Sequence, residues 1–252
     1  MHSIELSENK IKLIRKLHQK KYRDKSGLFI AEGGKACEEI LNSDINIKEI
    51  ITSEDFNGIK IQSPFITVKE SVMKKITTTD SPCKILVLAE KKVINISKFK
   101  NLKKIALFDS ISDPGNLGTI LRSAAAFGVE GIILYGNCVD LYSPKVIRSC
   151  AGNFLKTPVI SIDSVDELNS ICNEHIKIGT VLSKTNNISI KEITDFEKYI
   201  LMFGSEASGL QDELIKIADK NLIINIKKNV ESLNLSVSSS IIFYELFIND
   251  KN

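Results

Sequence analysis

Residues 199–240 read YILMFGSEASGLQDELIKIADKNLIINIKKNVESLNLSVSSS, and the rest of the chain is arranged around them. An apolar run, Tyr199–Phe203, meets Gly204, Glu206, Ser208 and Gly209 without a spacer. A helix-forming segment follows, then a second apolar run, Leu222–Ile226, a polar turn with Glu231-Ser232-Leu233-Asn234, and a final helix. Small residues at a strand end let a ligand approach the main chain closely. In open α/β sheets, ligands sit just beyond such strand ends. The stretch therefore predicts a pocket built largely from main chain, with Glu206, Ser232 and Asn234 as its polar tips.

Working outward, the runs at 105–108, 131–135, 178–182, 199–203 and 222–226 are all continuously apolar. Strands buried on both faces have this composition, which predicts a parallel sheet covered by helices on both sides. The intervening segments supply the helices. Leu117–Phe127 is rich in Ala and Leu and stops at Gly128; Pro144–Gly152, Val165–Asn173 and Ser236–Ile248 read as three more. Ahead of this lies a smaller alternation: a helix over Lys10–His18 with Ser7 as N-cap, a break at Ser26-Gly27, and a strand Leu28–Ala31. A helix Lys35–Leu41, strands Ile47–Thr52 and Pro64–Val68, a helix Glu70–Thr77 and a strand Ile85–Ala89 complete it. The division expected is an α/β unit over 1–92, a polar linker over 93–104 and a second unit over 105–252.

Charge is nearly balanced, 34 Lys+Arg against 31 Asp+Glu, so net charge alone names no partner. Its distribution is more informative. Lys10, Arg15, Lys20, Lys21 and Arg23 belong to a basic amino-terminal stretch opposed only by Glu5, Glu8, Asp24 and Glu32. That pattern suits RNA phosphates and suits an ordinary solvated helix face equally well. Lys145 and Arg148 form a second basic pair. The five cysteines are scattered without a CxxC pair, which excludes a zinc site and reads as reduced thiols of a cytoplasmic protein. No segment has the length and apolarity of a membrane span.

Several polar residues have ordinary structural uses. Asp113-Pro114-Gly115-Asn116 is a turn, Glu206 suits the start of a helix, and Ser232 and Asn234 suit the cap of the last one. Arg122, inside an apolar helix, faces either a carboxylate or a cleft, because burying it unpaired is expensive.

Three blocks resemble signature motifs of the SpoU/TrmH family, the RNA 2′-O-ribose methyltransferases of the SPOUT class. They are DPGNLGTILRSAAAFGVEGIIL (113–134), LMFGSEASGL (201–210) and INIKKNVESLNLSVSSSI (224–241). SPKVIRSCAGNFLKTPV (143–159) is similar to family sequences as well. NKIKLIRKLHQKKYRDKSGLFIAEGGKACEEIL (9–41) resembles the amino-terminal substrate-binding domain many members carry. The resemblance implies a SPOUT-type parallel sheet ending in a trefoil knot, preceded by a small α/β RNA-binding domain. It implies S-adenosylmethionine as cofactor, bound chiefly by backbone at Gly204, Ile226 and Leu233 with Leu235 nearby. It also implies a homodimer with each site completed at the interface, no metal, and catalytic or substrate-ordering roles for Asn116, Arg122, Glu206, Ser232 and Asn234. Arg122 is the base proposed for the family. A guanidinium with a pKa above roughly 12 is better suited to stabilising a developing alkoxide.

The activity implied is 2′-O-methylation of RNA, with ribosomal RNA favoured by the amino-terminal domain. Transfer RNA is the alternative substrate, and a non-catalytic RNA-binding or ribosome-assembly factor the alternative class. Two departures stand out. Lys227-Lys228 replaces the family's usual Pro-Met, and Ser238-Ser239-Ser240 stands where small alanines are common.

Overall fold

The computed structural model describes residues 6–181, 186–206, 208–227 and 229–250. By contacts the chain forms two compact units, one running to Val93 and including Asp140–Leu155, the other comprising Ile94–Val139 and the chain from Lys156 onward. The segment 140–155 thus groups with the amino-terminal unit, although its position in sequence suggests the second.

The first unit contains α1 (Glu8–Lys16), α2 (Lys20–Ser26), β1 (Leu28–Glu32), α3 (Gly34–Leu41), β2 (Ile47–Ser53), β3 (Ile66–Val68), α4 (Glu70–Ile76) and β4 (Ile85–Glu90). Its sheet has the order β1-β4-β2-β3, with β4 antiparallel to both neighbours and β2 parallel to β3. Ser7 caps α1 as expected, its side chain accepting from Lys10 N at 3.3 Å. Ile11, Ile14 and Leu17 bury the inner face of that helix in a cluster with Ile30, Ile51 and Met73.

The helix α2 has no apolar periodicity and was not expected. Arg23 holds it: the guanidinium is 2% exposed, donates to Leu17 O at 2.7 Å and pairs with Asp140 at 2.6 Å. Gly27, at φ +68, ends the helix in the left-handed conformation that glycine adopts freely. The helix Pro144–Ser149 is attached to this unit by polar contacts. Arg148 pairs with the buried Glu32, and Glu39 accepts from Phe154 N and Leu155 N at 2.9 and 2.7 Å.

The second unit begins with a 3-10 helix, Ile96–Asn101, where a linker was expected. Its Phe99 is fully buried in the core beside Ile105, Ile133 and Ile200, which is why this polar segment is ordered. Then come β5 (Lys104–Asp109), α5 (Pro114–Ala126) and β6 (Gly131–Tyr135); the chain passes through α6 (Pro144–Ser149), which groups with the first unit, and the second unit resumes with β7 (Val159–Ile162), α7 (Val165–Cys172), β8 (Ile176–Gly179) and β9 (Asn187–Ile188). The chain continues through α8 (Ile190–Ile193), β10 (Tyr199–Phe203), α9 (Asp212–Lys216), β11 (Lys220–Leu222) and α10 (Leu235–Asn249). The seven strands lie in the order β7-β6-β5-β10-β8-β11-β9, and every pairing is parallel. The parallel, doubly covered sheet expected from the apolar runs is present. Its central strands β5, β6 and β10 are buried almost throughout, and α10 packs on α5.

One run was misread. Leu222–Ile226 is not a strand: β11 ends at Leu222, and 223–227 has no regular structure. Leu182, expected at the end of β8, lies outside the described residues, as do Glu5 and Lys228.

Candidate active site

The three motif blocks converge in the second unit at the carboxyl ends of β5 and β10. Asp113 caps α5, its carboxylate accepting from Asn116 N at 2.8 Å, which places Asn116 in the first turn of the helix. The Asn116 amide donates to the Glu206 carboxylate, and its oxygen accepts from Asn234 Nδ2 at 3.0 Å. Asn234 in turn caps α10, its oxygen accepting from Ser236 N at 2.9 Å and Ser236 Oγ at 2.7 Å. The capping use of Asn234 and its place in the polar cluster are thus compatible: Oδ1 serves the helix while Nδ2 reaches Asn116. One connected set of hydrogen bonds joins residues from all three blocks.

The loop carrying Glu206 is closed on itself. Ser205 N and Gly209 N exchange hydrogen bonds with each other's carbonyls at 3.1 and 3.0 Å. Gly204 permits this, since a Cβ there would lie 2.0 Å from Gly209 C and 2.1 Å from Leu210 N. The loop is anchored by Asp109, a buried carboxylate at the end of β5 that accepts from Gln211 N at 2.8 Å and Gln211 Nε2 at 2.6 Å. Sequence reading overlooked Asp109; its place at the boundary between an apolar strand and a turn was the available signal.

Beside this cluster is an open cavity of about 180 Å³. Phe203, Leu222, Ile223, Ile224 and Ile242 supply much of its apolar wall, together with Ile226 and Leu233. Thr180, Glu231, Ser232 and Ser238 supply its polar groups. Of the candidate cofactor residues, Ile226 and Leu233 therefore line the cavity directly. Gly204 adjoins its Phe203, and Leu235 is buried at the start of α10 rather than lining it. Glu231, Thr180 and Ser238 were not selected from sequence. Ser238 had a signal, since it is one of the serines that replace the family's alanines.

The cavity suits S-adenosylmethionine on its chemistry: an apolar wall for a purine, the hydroxyls of Thr180, Ser232 and Ser238, and a lining segment, 223–226, without regular structure. Arg122 does not line it. The side chain is exposed on α5 and has no hydrogen bond or ion pair among the described residues.

The basic candidates divide. Arg15, Lys20 and Lys21 are exposed, and the Lys21 and Lys16 ammonium groups lie 5.2 and 5.6 Å from the Tyr22 ring centroid. Lys145 is exposed as well. Lys10 pairs with Glu49. Arg23 and Arg148 depart from the expected surface role, because their guanidinium groups are bound to Asp140 and Leu17 O, and to Glu32 and Thr78 Oγ1 at 2.6 Å.

The cysteines are free thiols. Burial pushes Cys37 and Cys138 up, Cys83 up to about 11 and Cys172 up to about 12, so these four are not poised as nucleophiles. Among the described residues no cluster of His, Cys, Asp and Glu could hold a metal, and no helix is long and apolar enough to cross a membrane.

Comparison with known proteins agrees with this geometry. The family model for the SpoU rRNA methylase family matches residues 103–244, and that for an MRM3-like substrate binding domain matches 8–87. The 23S rRNA (guanosine(2553)-2′-O)-methyltransferase RlmP of Bacillus subtilis is 31% identical, over 98% of this chain and 99% of that protein. A crystal structure of an AdoMet-bound rRNA methyltransferase from Sinorhizobium meliloti superposes with a TM-score of 0.81 at 26% identity, covering 96% of this chain and 95% of that one. The SpoU methyltransferase AviRb of Streptomyces viridochromogenes shares the fold, with a TM-score of 0.85 at 19% identity over 96% and 98% of the two chains. With motifs, cavity and family model coinciding on the same sheet, the chain belongs to the SpoU rRNA methylase family.

Proposed function

We propose that the chain is an S-adenosylmethionine-dependent 2′-O-ribose methyltransferase of ribosomal RNA. The observation that carries this reading is the hydrogen-bonded set Asn116–Glu206–Asn234, drawn from three separate motifs, beside a cavity lined by Ile226, Ser232 and Leu233. Bound there, S-adenosylmethionine supplies an electrophilic methyl group on a sulfonium, so the reaction needs no metal.

The residues then have a task each. The apolar wall and the main chain of 223–226 hold the cofactor, with Gly204 keeping the adjoining loop closed. Asn116, oriented by Glu206 and Asn234, aligns the ribose, and Ser232 lies at the same side of the cavity. Alignment of a hydroxyl with the methyl carbon turns the transfer into an effectively intramolecular step. The Arg122 guanidinium stabilises the negative charge that develops on the 2′-oxygen.

Arg122 is exposed and outside the cavity lining, which fits a homodimer in which the site is completed by a second copy. The outer face of α10 supports that arrangement. Val237, Ile241, Tyr244, Phe247 and Ile248 recur at helical spacing and are 38–54% exposed. Phe127, at the end of α5, meets Tyr244 edge-on at 5.5 Å. A contiguous apolar strip on a helix marks an interaction surface.

In this reading the amino-terminal unit binds the RNA, with Arg15, Lys20 and Lys21 as phosphate contacts. The knot of the SPOUT class is assigned to the chain between β10 and α10. Action on ribosomal RNA supports a cytoplasmic location.

The test is incubation of the purified protein with methyl-labelled S-adenosylmethionine and ribosomal RNA lacking its own modification. Label on a ribose 2′-oxygen of a single 23S position is expected, and the guanosine named for the Bacillus subtilis relative is the first to read. Label on a base, label on transfer RNA alone, or no uptake overturns the reading.

A further inference from the structure

Among the described residues lining the cavity, Glu231 alone carries a charge. Its side chain is exposed and has no hydrogen bond or ion pair among the described residues. The other carboxylate nearby, Glu206, is committed to Asn116. Glu231 directly precedes Ser232, and both line the cavity, whose other residues include the apolar Val181, Leu222 and Ile242.

We propose that Glu231 discriminates the methylated cofactor from its demethylated product by charge. The proposal rests on the cofactor reading given above. S-adenosylmethionine carries a sulfonium, an ammonium and a carboxylate, a net charge of about +1 at neutral pH given the ordinary pKa values of amino and carboxyl groups. In the transfer, the S–CH3 bond breaks as the methyl carbon bonds to the ribose 2′-oxygen. The bonding pair stays on sulfur, the hydroxyl proton passes to solvent water, and the product is a neutral thioether with no net charge.

A carboxylate at the reacting side of an otherwise uncharged cavity attracts the first molecule more than the second. The attraction is strengthened by the apolar wall and weakened by the exposure of Glu231. Turnover therefore removes part of the affinity that held the cofactor, which favours product release. Apolar burial and main-chain hydrogen bonds cannot make this distinction, because the adenosine and amino-acid portions are the same in both molecules.

The experiment is isothermal titration of the full chain and of Glu231→Gln with S-adenosylmethionine, S-adenosylhomocysteine and sinefungin, whose amine restores a positive charge near the sulfonium position. Loss of the charge is expected to weaken S-adenosylmethionine and sinefungin about tenfold, or about 1.4 kcal/mol, and S-adenosylhomocysteine by less than about twofold on the same scale. Glu231→Asp, which keeps the charge, is expected to retain most of the difference. The nearly unchanged S-adenosylhomocysteine affinity doubles as a check on folding. Equal weakening of all three ligands would mean that Glu231 only shapes the turn, and no change in any would mean that it lies too far from the sulfur; either overturns the proposal. A wild-type protein that binds none of the three overturns the cofactor reading and this proposal together.

Discussion

In the first unit Arg23 is 2% exposed, with its guanidinium on Leu17 O and Asp140, and Arg148 is paired with the buried Glu32. In the second unit Arg122 is exposed on α5 with no partner among the described residues. Three arginines that a sequence reader weighs alike thus have opposite situations. A buried guanidinium must be paired because desolvation of its charge is costly, and the pair then serves the fold. An exposed guanidinium on an apolar helix has no comparable structural constraint.

Mutation separates the two situations, and the largest effect belongs to the buried pair. Arg23→Ala leaves Asp140 and Leu17 O without their donor, and the expected loss is about 3–5 kcal/mol of stability. Chemical denaturation would measure it, with methyl transfer per folded molecule largely kept. A loss of transfer without a loss of stability would reverse the assignment of Arg23.

Arg122→Ala is expected to do the opposite. The rate of transfer should fall by about 10²–10³, as for removal of a single transition-state donor, while stability changes by no more than about 0.5 kcal/mol. Single-turnover kinetics and a melting curve on the same preparation check both halves. A destabilised Arg122 variant would place that side chain with Arg23.

The smallest expected effect concerns His175. It is buried, its Nε2 meets Leu102 O at 2.7 Å, and its Nδ1 has no partner among the described residues. Burial holds its pKa below the ordinary value, helped by Lys198 and Lys177 and opposed by the Leu102 bond. The unfolded chain therefore binds a proton more readily than the folded one. This contribution to stability is complete above the unfolded pKa of about 6.5 and is lost as pH falls from there toward the lower folded value. Melting curves between about pH 7.5 and 5.5, spanning that value, should show the decline, and His175→Gln should flatten it.

Much of the fold could be read in the sequence because burial on both faces leaves a plain compositional trace. The strands Gly131–Tyr135 and Tyr199–Phe203 have the bounds their apolar runs suggest, and the Ser7 cap is where its side chain is useful. Elements without that trace were missed. Lys20–Ser26 is helical because Arg23 finds an acceptor far along the chain at Asp140, and Ile96–Asn101 is ordered by one residue, Phe99. Val159–Ile162 was short enough to escape notice. Leu222–Ile226 failed in the other direction: its apolarity is real, but it serves a cavity wall in place of a sheet. Periodicity cannot tell those two uses apart, because both remove the same side chains from water.

The candidate site has the same split. The resemblance to the family motifs picked out Asn116, Glu206, Ser232 and Asn234, because residue types and order alone suited a turn and helix caps equally well. That Asn116 bridges Glu206 and Asn234, that Gly204 admits no Cβ, and that Glu231 is the charged group of the cavity lining are facts of packing. The sequence by itself determined the parallel sheet, the family and the polar residues of the motifs, because these depend on local pattern and on order along the chain. Only the tertiary structure decided which charges are buried and paired and which stand free. That depends on contacts between residues more than a hundred positions apart, as for Arg23 and Asp140, and no local pattern encodes it.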